Sequence, residues 1–467
     1  MTKTCLQANS NRNQISMKVM KRQIELLAPG GDVDSIKAAI LAGADAVYCG
    51  LDRFNARYRA GNITLKELSG IVRLAHANRC EVFITLNIII VESEIPSVIS
   101  LLNRLVNSRI DGVIVQDLGL LYLLERYFPS LKVHASTQLT THNEGQIKFL
   151  SQLSATRVNL SRELNLDEIT PLSRAAHDNK LLTEVFVHGS NCVSFSGLCY
   201  MSSVQSGSSG NRGRCSQPCR DQYSTTAEGR DFPLNIKDNS AYSDLDALVE
   251  AGVDSVKIEG RIKKYHYVYT VVNSWRNHLQ RFYQQDSIER DDSDLYKVFN
   301  RGLTNAFLQG KIGSELFIDN PRDNSAHHKY ELNNGATEMD LDRAKKEVYE
   351  QKSEIISNIQ QRVEQMSIAK AALVITVSGR SGEPLQVKIK TPDTSFILYS
   401  ETLLEANSSN NENAKTGISS FPQRLDVELF LTRFRRLNDT EYYIEHLDIE
   451  ELQQGLFIPF KAISAIS

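Results

Sequence analysis

Cys192, Cys199, Cys215 and Cys219 fall in one polar, glycine-rich stretch, whereas Cys5, Cys49 and Cys80 are scattered over the first 80 residues. Thiolates are soft ligands, and four of them in one loop with no secretion signal upstream point to a metal or iron–sulfur site rather than a disulfide framework. The spacing Cys192-x6-Cys199-x15-Cys215-x3-Cys219 lacks the CxxC pairs of a zinc ribbon. Irregular intervals rich in glycine suit an iron–sulfur cluster held at the mouth of a scaffold. Zinc and unligated thiols are the competing readings. Cys49 ends an expected strand and is an alternative fourth ligand, set against a plain buried core position.

Charged residues surround this stretch. Arg212 and Arg214 precede Cys215 and Arg220 follows Cys219, with no acid among them. Guanidinium groups grip phosphate or carboxylate through paired hydrogen bonds, so an anionic substrate or an RNA backbone is expected beside the cysteines. Glu184 and His188 lie four residues apart on one expected strand and share a face, and His188 is placed to transfer protons near neutral pH. His134 and Gln138 mark another strand end. Lys257, Glu259 and Arg261 alternate at the last expected strand. Three charges on one side need partners or a polar site.

These residues require a scaffold. The chain has 467 residues, with 41% hydrophobic, 23% charged and a net charge of −3, the composition of a soluble globular protein of two or three domains. Its longest apolar run, residues 82–91, is too short to span a bilayer. The polar first twenty residues do not resemble a secretory signal, so the cytoplasm is the expected compartment and no membrane partner is expected.

From residue 24 onward, short β-rich runs alternate with amphipathic helix-length segments. Strands are expected at 24–28, 45–49, 81–86, 112–115, 131–134, 157–160, 183–187, 233–236 and 255–258. That beat predicts parallel βαβ units and, over about 250 residues, a (β/α)8 barrel. A doubly wound open sheet is the alternative fold. The barrel is preferred because polar residues recur at strand ends, which converge on one face of a barrel. The interval from 188 to 232 is too long for an ordinary βα loop, and a bound metal centre is expected to order it. The domain reading is a tail at 1–22, a barrel at 23–318, a polar linker at 319–340, and a smaller α+β domain at 341–467. In that last domain strands are expected at 371–377, 385–389, 425–431 and 442–444. The chain ends directly after an apolar stretch, which predicts further protein beyond it.

Residues 184–202 (EVFVHGSNCVSFSGLCYMS) resemble the signature of the collagenase-like peptidases, family thirty-two of the peptidases of unknown type. Further matches are residues 25–30 (ELLAPG), 54–57 (FNAR), 134–138 (HASTQ), 162–164 (REL), 213–220 (GRCSQPCR), 257–261 (KIEGR) and 299–302 (FNRG). The resemblance implies a barrel carrying a [4Fe–4S] cluster on Cys192, Cys199, Cys215 and Cys219, loaded by iron–sulfur assembly machinery. It implies hydroxylation rather than proteolysis: relatives make 5-hydroxycytidine in large-subunit (23S) ribosomal RNA, hydroxylate the wobble uridine of tRNA, or hydroxylate quinone precursors, and the RNA enzymes use prephenate as hydroxyl source. On that reading Glu184, His188, Lys257 and Glu259 are catalytic, and Asn55, Arg57, Gln138, Arg212, Arg214, Arg220 and Arg261 bind substrate. Residues 432–440 (TRFRRLNDT) and 455–459 (GLFIP) resemble the extra domain of the ribosomal RNA branch. A peptidase lacks support in the residues, since neither HExxH nor GxSxG occurs. A non-catalytic RNA-binding factor with a structural cluster is the third reading.

Overall fold

The computed structural model describes residues 23–58, 60–224, 227, 229–284, 291–335, 337–368, 370–391, 394–406, 425–434, 437 and 442–466. The tail 1–22 and, within the TRFRRLNDT motif, residues 435–436 and 438–440 lie outside them.

Eight parallel strands form the ring: β1 (Glu25–Gly30), β2 (Ala46–Cys49), β3 (Glu81–Leu86), β4 (Gly112–Val115), β5 (Lys132–Ala135), β6 (Ala155–Asn159), β7 (Leu182–Gly189) and, after β8 (Asp238–Ser240), β9 (Ser255–Ile258). β1 pairs with both β2 and β9, and β9 pairs with β7, which closes the barrel. β8 runs antiparallel on β7 outside the ring, and β10 (Leu303–Thr304) lies parallel to β8. The strand expected at 233–236 does not form. Only Ile236 makes a bridge, to Phe317, and pairing begins two residues later at Asp238. Pro233 has no N–H to give a ladder.

Helices start where the sequence supplies caps. Asp32 accepts from the Ser35 amide at 2.8 Å, and Thr64 with Glu67 and Asn165 with Glu168 form capping boxes. Strand alternation sorts the side chains into two cores. Leu26, Ala28, Val47, Cys49, Val82, Ile84, Val113, Val115, Val158, Val185 and Val256 face the helices in the main core. The interior holds a smaller apolar cluster of Leu27, Ala46, Tyr48, Phe83 and Ile114, all on β1–β4. The opposite half of the interior is polar.

Helix Glu338–Gln365 lays Ile359 and Val363 against Ala38 of the barrel's first helix, Val33–Leu41. The stretch expected to be irregular before it contains a helix, Ser325–Leu332, tied to the long helix by Lys329 and Glu347 at 2.9 Å. Beyond it lies a four-stranded sheet. Strands Ala371–Ser378 and Pro384–Lys390 form the expected hairpin, Ser395–Leu403 continues it, and Tyr442–Asp448 runs parallel to the first. The strand expected at 425–431 is instead a helix, Val427–Arg433, capped by Asp426. Phe430 and Phe434, four residues apart, enter the core together. So short an apolar run does not distinguish helix from strand by period.

The polar half of the barrel interior is a compensated ion network. The Glu184 carboxylate accepts from Lys257 Nζ at 2.7 Å, Asn159 Nδ2 at 2.6 Å and Arg157 Nη1 at 3.3 Å. Arg157 also donates to both oxygens of Glu25, one at 2.7 Å, and Ser255 Oγ donates to Glu25 at 3.0 Å. Glu25, Glu184 and Ser255 are in register across β1, β7 and β9. This layer therefore lies toward the N-terminal floor of the barrel. Burial raises the Glu184 carboxyl, but Lys257, Arg157 and the hydrogen bonds outweigh it and hold it below its ordinary range. Removing one partner strands a buried charge, at a cost of about 3–5 kcal/mol. We expect Glu184→Leu to lower stability by that amount in urea denaturation, and Glu184→Leu with Lys257→Met to be less damaging than the sum of the two single changes.

Candidate active site at the barrel mouth

The mouth is built from the segments that follow β2, β7 and β9. Glu259, directly after β9, pairs with Arg57 at 3.2 Å. Burial raises the Glu259 carboxyl, yet Arg57, Arg261 and Arg162 together hold it ionised below the usual range. Asn55 fixes both neighbours. Its side-chain oxygen accepts from the Arg57 amide at 2.9 Å and from Arg261 Nη2. Arg261 also donates to Thr85 Oγ1, and burial together with Arg57 pushes its guanidinium down to about 10, still protonated at neutral pH. Arg57, Arg162 and Arg261 thus face one carboxylate, and the mouth carries an excess of positive charge.

The cysteine insert closes over this group. Gly189 (φ +108°) lets β7 pass the Glu259 carbonyl, since a Cβ there would stand 2.4 Å from that oxygen. Gly213 (φ +80°) seats the insert on the Asn55 carbonyl, 2.5 Å from where a Cβ would lie. Arg212 donates to both Glu94 oxygens, at 2.8 and 3.0 Å, and to the Ile89 carbonyl at 2.8 Å. Arg220 reaches the carbonyls of Asn191 and Ile236, each at 2.7 Å. Ser196 donates from both amide and hydroxyl to Glu163, at 2.7 and 2.8 Å. Side chains of the barrel rim thus tie down the insert that was expected to depend on a metal for order.

Cys219 lies within electrostatic reach of Cys192 and Cys215. Burial raises the Cys219 thiol, Arg220 draws it down, and the neighbouring Cys192 and Cys215 raise it again. Gly210 lies between the Cys215 Cβ and the Cys199 carbonyl, 3.7 and 3.9 Å from where its Cβ would lie. The Met201 amide donates to Cys199 Sγ and the Gln217 amide to Cys215 Sγ, both at 3.4 Å. Amide-to-sulfur bonds of this kind tune iron–sulfur centres. Among the described residues no three His, Cys, Asp or Glu side chains converge closely enough to hold one metal ion. Cys192 lies within electrostatic reach of Arg57, and the insert touches the mouth at Gly189 against the Glu259 carbonyl and at Gly213 against the Asn55 carbonyl. Cys49 belongs to the main core beneath the helices, its thiol pushed up to about 12 by burial, and it is not part of this set.

The other predicted residues divide by position. Glu184 and Lys257 lie in the floor network. Lys257 Nζ also sits 4.5 Å from the Tyr48 ring centroid. His188 is at the rim near Tyr267, and burial lowers it to about 4. Gln138 accepts from Asn87 at 3.4 Å and flanks Gly197 of the insert. Arg214 is exposed over Tyr58. The donors of Arg212 and Arg220 are engaged within the protein, and at the mouth so are those of Arg57, on Glu259 and the Ala56 carbonyl, and of Arg261, on Asn55 and Thr85. Inside the ring, Gln116 Oε1, His134 Nδ1 and Asn159 Oδ1 are buried without a hydrogen-bond partner, a polar lining suited to a bound ligand or water. Sequence reading missed Arg157 and the clamp in which Arg301 holds Asp238 at 2.8 Å and Ser190 Oγ at 2.6 Å. Arg157 and Asn159 alternate on an otherwise apolar strand, a period-two signal that could have exposed them.

Residues 31–317 match the family model of peptidase family U32. The chain belongs to that family. The U32 chain is 38% identical over 323 residues to the 23S rRNA 5-hydroxycytidine synthase of Escherichia coli, covering 66% of this chain and 48% of that protein. It thus spans about half the length of that relative. It is 31% identical to a tRNA hydroxylation protein of Bacillus subtilis and 32% identical to a collagenase of Porphyromonas gingivalis, covering 64% and 62% of this chain and 74% of each relative. A solved U32 peptidase structure aligns at 16% identity with a TM-score of 0.35, over 54% of this chain and 99% of that one. No helix among the described residues is long and apolar enough to cross a membrane.

His188 is neutral when folded and ionises at an ordinary value of 6.5 when unfolded. Its lowered value means the unfolded chain binds the proton first as pH falls. Stability is therefore full above pH 6.5 and is lost toward pH 4, by about 3 kcal/mol from this group. Urea denaturation across this range should show His188→Asn losing less than the wild type.

Proposed function

We propose that this chain is an iron–sulfur-dependent RNA hydroxylase acting on a pyrimidine, with cytidine of large-subunit ribosomal RNA as the preferred target. The observation that carries the reading is the seating of the cysteine-bearing insert on the barrel mouth, Gly189 against the Glu259 carbonyl and Gly213 against the Asn55 carbonyl, beside the Arg57–Glu259 pair. The named activities of the relatives from Escherichia coli and Bacillus subtilis support the reaction class.

Cys192, Cys199, Cys215 and Cys219 would hold the [4Fe–4S] cluster, delivered by iron–sulfur assembly machinery. The cluster would supply electron transfer or Lewis-acid activation of an oxygen-bearing co-substrate. Arg57, Arg162 and Arg261 would hold an anion, and their excess over Glu259 suits a dicarboxylate such as prephenate better than a neutral molecule. Glu259, held ionised beside Arg57, would act as the base. The buried His188 stays neutral near pH 7 and would accept or donate a hydrogen bond without adding charge. Glu184 and Lys257 would act from below by fixing the floor against which substrate stacks. A base enters such a site only when unpaired.

A second reading is hydroxylation of a tRNA uridine, favoured by the Bacillus subtilis relative. Nucleoside mass spectrometry separates the two. In cells lacking the gene, 5-hydroxycytidine in ribosomal RNA should disappear, return with the wild-type chain, and stay absent with Cys192→Ser. Loss of hydroxyuridine from tRNA alone would favour the second reading, and unchanged levels of both would contradict the proposal.

A further inference from the structure

The smaller domain presents one sheet face that its own core does not use. Leu373, Ile375, Val377, Leu385 and Val387 point inward under the helices. The registers place the alternate residues on the other face. Val374 lies opposite Lys390, Thr376 opposite Lys388 and Ser378 opposite Gln386, while Lys388 faces Ile397 and Gln386 faces Tyr399. On the far side Ala372 lies beside Tyr443 and Val374 beside His446. Three large side chains of this face are open to solvent: Tyr399 at 59%, Tyr443 at 42% and Ile397 at 41%. Lys388 and Lys390 are exposed between them, and no described acidic side chain pairs with either.

The order across the sheet is diagonal. Tyr399, Lys388, Val374 and Tyr443 occupy successive strands while stepping along them in one direction. Three strand spacings and six residues of rise give a track about 25 Å long. Aromatic rings separated by lysines match single-stranded nucleic acid, whose bases stack on rings while its phosphates meet cations. A protein partner would explain exposed tyrosines but not two unpaired lysines set between them. Asp448, beside Thr376, and Glu401, two residues beyond Tyr399, are the acids of the same face and bound the track.

We propose that this face is a docking platform for a single-stranded segment of the substrate RNA. The proposal rests on the RNA reading above. The platform would hold the RNA by stacking and charge without choosing its sequence, leaving selection to the mouth.

The test uses the full chain and a fluorescein-labelled, unstructured oligopyrimidine RNA, followed by anisotropy over a salt series. Tyr399→Ala and Tyr443→Ala should each weaken binding about fivefold or more. Lys388→Gln with Lys390→Gln should weaken it and reduce the logarithmic salt slope by about 1.4. Tyr399→Phe should retain affinity, and Lys66→Gln, an exposed control on a barrel helix, should leave both quantities unchanged. Unaltered thermal unfolding of each variant separates a surface effect from misfolding. Wild-type affinity in all the platform variants overturns the inference while leaving the RNA reading intact. Absence of RNA binding by the wild-type chain overturns both. Self-association of the wild-type chain that is abolished by Tyr399→Ala, without change in RNA affinity, also overturns it.

Discussion

The buried pairing of Glu25 and Glu184 with Arg157 and Lys257 is the constraint on which the rest depends. Two acids and two bases from four strands meet inside a ring that has apolar filling on only one side. An uncompensated charge there would open the barrel to water. Charge is balanced within the floor, so the floor offers a ligand no net charge. The same four residues tie β1 to β6, β7 and β9, and the last two of those strands carry the insert and the mouth carboxylate.

Above that layer the balance is broken. Arg57, Arg162 and Arg261 outnumber Glu259, and the insert brings four further ionisable sulfurs to the same place. An excess of positive charge above a balanced floor suits an anionic ligand. The rim supports that function by anchoring the insert through Arg212–Glu94, Ser196–Glu163 and Arg220, which are positioning contacts rather than substrate contacts. Glu184 and Arg212 have the residue types of a catalytic acid and an anion grip. Their partners show that one braces the barrel and the other pins the loop.

Much of this was legible in the sequence. The alternation of short apolar runs with helix-length segments was visible, and polar residues at strand ends pointed to one face of a barrel. What escaped was set by contacts distant in sequence. Glu94 lies 118 positions from Arg212, and Glu25 lies 132 from Arg157. No local pattern reports such pairings. The helix at Val427–Arg433 escaped for another reason, because a short apolar run has no distinctive period until Phe430 and Phe434 are seen to enter one core. The strand at Asp238–Ser240 escaped because its residues are polar, their purpose being the clamp with Arg301.

The most direct measurement is iron and acid-labile sulfide analysis, with visible absorption, of the chain purified without oxygen. The account predicts iron and sulfide in equal amounts, about four of each per chain, and their loss from Cys192→Ser without unfolding. Iron-free protein with all four insert thiols open to alkylation, or stoichiometric zinc in place of iron, would contradict it.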